Sequence, residues 1–256
     1  MIFWIKYPAF SLLFLMSALL HAQKSSFLTH SHNDYEQEEP LTKALSLNFN
    51  SIEVDIFEFN GNIVVSHDNE DLGNKPLLKQ LYLQPLSQYT FKSNQTIILL
   101  VDLKMEGSTI LELLHDEISR YPNLFKSRNV KANHASLQVV LSGSVDKEYV
   151  LSNNKFHYFY IDGRLEDLKK NYNTQLVPLI SADIEELYRW RKSKKTTKKN
   201  LKPLIEAIRK VHEQDKIIRF WNTPDESDLW DILISLNVDI IGVDNLDKFM
   251  QYSSKF

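Results

Sequence analysis

Along the chain, short apolar runs rich in β-branched and aromatic residues alternate with segments whose apolar residues recur every three or four positions. The runs are SSFLTH, NSIEVDIF, QTIILLVDL, SLQVVLSG, HYFYID, LVPLIS, KIIRFW and VDIIGVD. Between them lie PLTKALSLN, PLLKQLYLQPLSQY, STILELLHDEISRY, VDKEYVLS, RLEDLKKNY, the stretch from ADIEELYRWRK to IRKVHEQD, DESDLWDILISLN and NLDKFMQY. Three-and-four spacing lines one face of a helix, and compact apolar runs of this length suit buried strands. Strand and helix signals in alternation predict a parallel α/β sheet. Eight such pairs predict a closed (β/α)8 TIM barrel, with a doubly wound open sheet as the other arrangement. One interruption stands out: Asn60-Gly61, in EFNGNIVVSHDN, is a hairpin dipeptide, so the second strand extends into a small hairpin whose return arm ends at His67-Asp68.

Residues 1–22, MIFWIKYPAFSLLFLMSALLHA, carry one charge, Lys6, ahead of an apolar stretch that ends before Ala22. This reads as a cleavable secretory signal peptide, which places the protein outside the cytoplasm, secreted or periplasmic; an uncleaved anchor is the alternative. The remainder, residues 23–256, is one domain's worth of chain. With 30 Lys and Arg against 33 Asp and Glu, the protein has no overall pull toward nucleic acid. Its one basic run, RWRKSKKTTKK at 189–199, reads as a solvated helix end and loop or as a phosphate or anionic-surface contact. There is no cysteine, hence no disulfide. No GxGxxG or P-loop cradle for phosphate is present.

The ends of the first three runs carry the chemistry. Residues two apart on a strand share a face, and the carboxyl ends of barrel strands form the catalytic rim. His30 and His32, Glu53 and Asp55, and Asp102 and Lys104 are such pairs. Six ionisable groups delivered inward at one rim are stable only if they compensate one another or share an ion. The carboxylates Glu53, Asp55 and Asp102 suit one hard divalent cation, Mg²⁺ or Ca²⁺, and Lys104 beside them suits an anion such as phosphate. Asn33, next to His32, and Trp221, at the end of the seventh run, are candidate substrate contacts. Singly, an HxH, an ExD or a DLK has ordinary structural explanations; together at three successive strand ends they point to a site. An amidohydrolase-type dinuclear centre would need further histidines at later strand ends. Those ends carry Ser142, Asp162, Ser181 and Trp221-Asn222, and only Asp244 fits, so that reading fails.

These motifs resemble the glycerophosphodiester phosphodiesterase and phosphatidylinositol-specific phospholipase C superfamily, and within it the altered inheritance of mitochondria protein 6 family. The resemblance runs through HSHNDY, PLTKALSLNFNSIEVDI, VVSHD, LYLQPL, LLVDLK, VLSG, IDGRLEDL, VPLISADIEELYRW, IRFWNTPD and IGVDNL. It implies a PLC-like TIM barrel with His32 and His67 as the acid–base pair, Glu53, Asp55 and Asp102 as metal ligands, and Lys104 on the phosphate. His30, one layer deeper, would orient His32 or touch the metal. Two departures from the glycerophosphodiesterase pattern are visible: Asn33-Asp34 follow His32 where Arg and Gly are usual, and Leu41-Thr42 stand near where a Glu-Asn pair would be. The spacing is nearer the sphingomyelinase D branch.

The expected activity is metal-dependent cleavage of a phosphodiester, glycerophosphodiester or phospholipid-like, by a monomer that touches a membrane surface at most transiently. The alternative is a barrel that binds a metal and a phosphate ligand without turnover.

Overall fold

All eight apolar runs become strands of one closed sheet. The computed structural model describes residues 27–93, 95–130, 136–192 and 197–255, so the proposed signal peptide lies outside the described residues. In chain order the strands are β1 (Leu28–Ser31), β2 (Ser51–Phe59), β3 (Asn62–Val65), β4 (Ile97–Leu103), β5 (Leu137–Gly143), β6 (Phe159–Gly163), β7 (Leu179–Asp183), β8 (Ile217–Trp221) and β9 (Ile240–Val243). Eight run parallel around the barrel in the order β1-β9-β8-β7-β6-β5-β4-β2, and pairing of β1 with β2 closes it. The ninth, β3, is the hairpin arm, antiparallel to β2. Its turn has φ of 49° at Asn60 and 73° at Gly61, the left-handed pair that this dipeptide allows.

Helices fill most crossovers. Ser108–Ile118 buries Ile110, Leu111, Leu114 and Ile118, the three-and-four stripe seen in the sequence. Two segments depart from simple helices. RLEDLKKNY makes a tight 3₁₀ segment, Leu165–Lys170, because the Asp167 carboxylate accepts the Arg164 N–H at its start and Asn171 turns left-handed (φ 49°) at its end. In PLLKQLYLQPL a wide π-type turn, Lys79–Leu83, precedes Gln84–Gln88. Pro85 has no N–H to offer the Leu81 carbonyl, and the wide turn accommodates that gap.

Alternation within the strands sorts two cores. Leu99, Val101, Leu103, Val139, Leu141 and Ile161 face outward into the large core under the helices. Their neighbours Leu28, Ile98, Leu100, Val140, Tyr160, Leu179, Ile217 and Ile240 point into the barrel and form a separate apolar cluster. Two residues further along these strands stand His30, Asp102, Ser142, Asp162, Ser181, Arg219 and Gly242, so a polar layer rests on an apolar floor. Gly143 is required where β5 leaves this layer: with φ of 74°, a Cβ there would lie 2.4 Å from the Leu103 carbonyl and 2.6 Å from Asp102 Oδ1.

Candidate active site

The polar layer centres on a cation that sequence reasoning overlooked. Arg219, in the middle of β8, is 4 % exposed and lies inside the barrel. Its Nη1 donates to Glu53 Oε2 at 2.7 Å, its Nε to Ser181 Oγ at 3.1 Å, and its Nη2 lies 3.9 Å from Asp162 Oδ2. The signal was available: Arg219 stands two residues before Trp221, so it shares the inward face at the next depth.

His30 is fully buried against the same carboxylate, with Nε2 2.6 Å from Glu53 Oε2 and Nδ1 2.7 Å from Ser51 Oγ. Burial first, and the Arg219 charge second, push its pKa down to about 4 against the pull of Glu53, so the ring is neutral at pH 7. A neutral ring that donates from Nε2–H to Glu53 and accepts the Ser51 hydroxyl at Nδ1 satisfies all three groups. Nη1 of Arg219, 2.7 Å from Nε2, then shares the Glu53 acceptor with it. The contacts of His30 are thus to Glu53, Ser51 and Arg219; it supports a carboxylate and makes no hydrogen bond to His32. Burial pushes the Glu53 pKa up, but Arg219 and His30 more than reverse this and hold it well below the usual carboxylate range.

At the rim above, two imidazoles each rest on a carboxylate through Nδ1. His32 Nδ1 is 2.7 Å from Asp244 Oδ1, just beyond β9, and its side chain is 37 % exposed. Burial lowers the His32 pKa, but the Asp244 bond and the Glu53 charge outweigh it, so the net shift is upward. Asp225 braces this corner by accepting the N–H groups of Asp244 at 3.2 Å and Asn245 at 2.6 Å. His67, beyond the hairpin arm, places Nδ1 3.0 Å from Asp55 Oδ2, and its side chain is 61 % exposed. Tyr35 donates to the same oxygen at 2.8 Å. In both rings Nε2 remains the nitrogen available for proton exchange. The turn carrying His32 and the left-handed Asn33 (φ 45°) is pinned by buried Asp34, which accepts from Ser31, Tyr82 and the Leu41 N–H.

Glu53, Asp55 and Asp102 each offer an oxygen, all within 4.8 Å of one another. Asp55 Oδ1 is buried without a partner, and His30 and Arg219 both take Oε2 of Glu53, leaving Oε1 for an ion. These donors fit a small hard cation. Lys104 bridges two of them, its Nζ 2.8 Å from Asp55 Oδ2 and 2.6 Å from Asp102 Oδ2. Its pKa is lowered by burial but raised on balance by Asp102 and Asp55. Burial pushes the Asp55 pKa up despite Lys104. A cavity of 350 Å³ runs beside this group, walled by His30, His32, Arg219, Trp221, Asp244 and Arg191, whose Nη1 donates to Asn222 Oδ1 at 2.8 Å. Trp221, 40 % exposed, reaches the mouth on the β8 side, as its position at a strand end implies.

The closed barrel is similar in fold to those of a glycerophosphodiester phosphodiesterase and of a phosphatidylinositol-specific phospholipase C. A glycerophosphodiester phosphodiesterase from Parabacteroides distasonis superposes with a TM-score of 0.61 at 14% identity, over 90% of this chain and 98% of that one. A Ca²⁺-dependent phosphatidylinositol-specific phospholipase C from Streptomyces antibioticus gives 0.56 at 12% identity, over 86% and 94%. At those identities the likeness is one of fold. The sequence is similar to the AIM6-like phosphodiesterase domain, whose family model matches residues 20–95. The altered inheritance of mitochondria protein 6 homolog of Arthroderma benhamiae is 27% identical over 263 residues, 87% of this chain and 82% of its own. Altered inheritance of mitochondria protein 6 of Eremothecium gossypii is 24% identical over 267 residues, 87% and 68% of the two chains.

Proposed function

We propose that the protein cleaves a phosphodiester, of a glycerophosphodiester or a phospholipid head group, by general acid–base catalysis between His32 and His67. The observation that carries this reading is the matched pair of histidines, each with Nδ1 fixed on a carboxylate and Nε2 without a hydrogen-bond partner among the described residues, standing at the rim that also carries a carboxylate trio. One imidazole takes the proton of the attacking water or substrate hydroxyl as the new P–O bond forms; the other gives a proton to the departing alkoxide. Asp244 and Asp55 hold the two rings in the tautomer with Nδ1–H. Glu53, Asp55 and Asp102 would hold one divalent cation, which when bound supplies positive charge to the phosphoryl oxygens. His30 and Arg219 keep Glu53 ionised and aimed, and Lys104, between Asp55 and Asp102, adds a second positive group for the phosphate.

The test is turnover of bis(p-nitrophenyl) phosphate, glycerophosphodiesters and lysophospholipids, with Mg²⁺ or Ca²⁺ and with EDTA. His32→Ala and His67→Ala should each lower turnover by roughly two to four orders of magnitude while the melting temperature holds. A variant retaining more than about a tenth of wild-type turnover removes that histidine from the acid–base pair.

A further inference from the structure

The rim that carries the candidate site also carries charge and aromatic surface that the chemistry does not use. On the loop after β7, Arg189, Arg191 and Lys192 are exposed, and Lys199 and Lys202 are exposed at the start of the helix Lys198–His212 that follows. From Arg189 to Lys202 the sequence contains no acidic residue. Further down the same helix the cations are ion-paired, Arg209 with Glu206 and Glu213 and Lys210 with Glu206, whereas none of the five at the rim makes a salt bridge among the described residues. The local acids are few: Glu185 accepts the Arg191 N–H, Glu226 accepts Trp190 Nε1, and Glu186 lies beside Arg189 and Lys192.

Across the mouth stands the β2–β3 hairpin. The strand order places β2 and β7 four steps apart in a ring of eight, on opposite sides of the barrel. Phe59, at the hairpin's tip, is 36 % exposed. The cations and Phe59 thus stand on opposite sides of the mouth, where a flat partner laid on the rim would span both and cover the cavity between them.

We propose that this rim is a docking face for an anionic lipid bilayer, with Arg189, Lys192, Lys199 and Lys202 against the head groups and Phe59 in the interfacial layer. Charge complementarity selects the partner: the chain is net negative, at −3, so the attraction is local and orients the rim toward the surface. The aromatic tip favours a bilayer over a polyanion such as nucleic acid, because an apolar ring gains by leaving water at a lipid interface and gains little on a phosphate backbone. Docking would present the cavity to lipid head groups, yet it rests on surface features alone and does not depend on turnover.

Vesicle sedimentation tests it, using phosphatidylcholine vesicles with and without phosphatidylglycerol, in EDTA, at low and high salt. The protein is expected to bind only the phosphatidylglycerol vesicles and to be released by salt. Lys192→Glu/Lys199→Glu/Lys202→Glu should weaken binding roughly a hundredfold, each basic residue near such a surface being worth about fivefold. Phe59→Ser should weaken it several-fold, and both variants should melt with the wild type. Undiminished binding by the triple variant overturns the proposal. So does loss of binding in Lys104→Met with the triple variant intact, which would mean lipid is held at the carboxylate site rather than on the rim. Heparin bound as tightly as vesicles, with Phe59→Ser silent, would make the face a general polyanion surface and also overturn it. A protein without phosphodiesterase activity leaves all of these measurements unchanged.

Discussion

Replacing Arg219 by Met tests whether the interior of the barrel is held together by charge compensation. In the native protein the guanidinium meets Glu53 at 2.7 Å with both side chains under 9 % exposed. Met fills similar volume and removes the charge, leaving a buried carboxylate with only the neutral His30 as close partner. Breaking a buried pair from one side costs about 3–5 kcal/mol. At roughly 2–4 °C per kcal/mol for a domain of this size, the melting temperature should fall by about 6–20 °C. Glu53→Gln removes the other charge and leaves Arg219 near Asp162, a milder loss. The double variant, with neither charge, should be less destabilised than the sum of the singles by about 1–3 kcal/mol. Arg219→Lys should recover only part of the loss, because one ammonium cannot reproduce the fork that spans Glu53 and Ser181. Melting in EDTA reads the wild type and all four variants without interference from bound cations. If Arg219→Met cost less than about 1 kcal/mol, or the two substitutions were simply additive, the pair would be outside the stability of the polar layer and the reasoning about Glu53 would fail.

Titration calorimetry with Mg²⁺ and with Ca²⁺ should show one bound ion and a raised melting temperature, both lost in Asp102→Asn; absence of any binding in the millimolar range would refute the carboxylate trio as a metal site. Lys104→Met should bind the cation more tightly and inorganic phosphate more weakly, since the ammonium now sits between two of the ligands; unchanged affinities for both would make Lys104 structural only. Asp244→Asn should lower the His32 pKa, followed by NMR titration of the ring. Because the folded-state pKa of His32 is raised, its contribution to stability is present below the unfolded value of about 6.5 and lost as pH rises through the folded value. The variant should therefore lose stability near pH 5 and match the wild type near pH 9; an equal loss at both would refute the dyad.

The barrel was legible because each strand is short, apolar and followed by a three-and-four stripe, and because period two places 30 and 32, 53 and 55, and 102 and 104 on one face. The same rule, applied to IIRFW, would have placed Arg219 inside; an arginine among apolar neighbours draws less notice than paired carboxylates at a strand end. Asp244, which by sequence position suggests only a metal ligand, holds His32. That partnership joins residues 212 apart and has no local signature. The sequence places Lys104 beside the carboxylates but does not show that it bridges Asp55 and Asp102, because strand position gives the face of a side chain but not its nearest partner. The shortened helices at Leu165–Lys170 and Lys79–Leu83 were obscured because periodicity does not register a side-chain cap or a missing N–H.

The bond between His32 and Asp244 lies across the seam where the first and last barrel strands meet. β9 is the last of the barrel strands in chain order, and its pairing with β1 is a contact of long sequence separation with a correspondingly large loop-closure cost. During synthesis the end of the chain emerges last, so a nascent protein carries Glu53, Asp55, Asp102 and His67 without the carboxylate that positions its other imidazole. A truncated or still-growing chain that lacks β9 therefore also lacks the His32–Asp244 pair, which reports whether the first and last barrel strands have met.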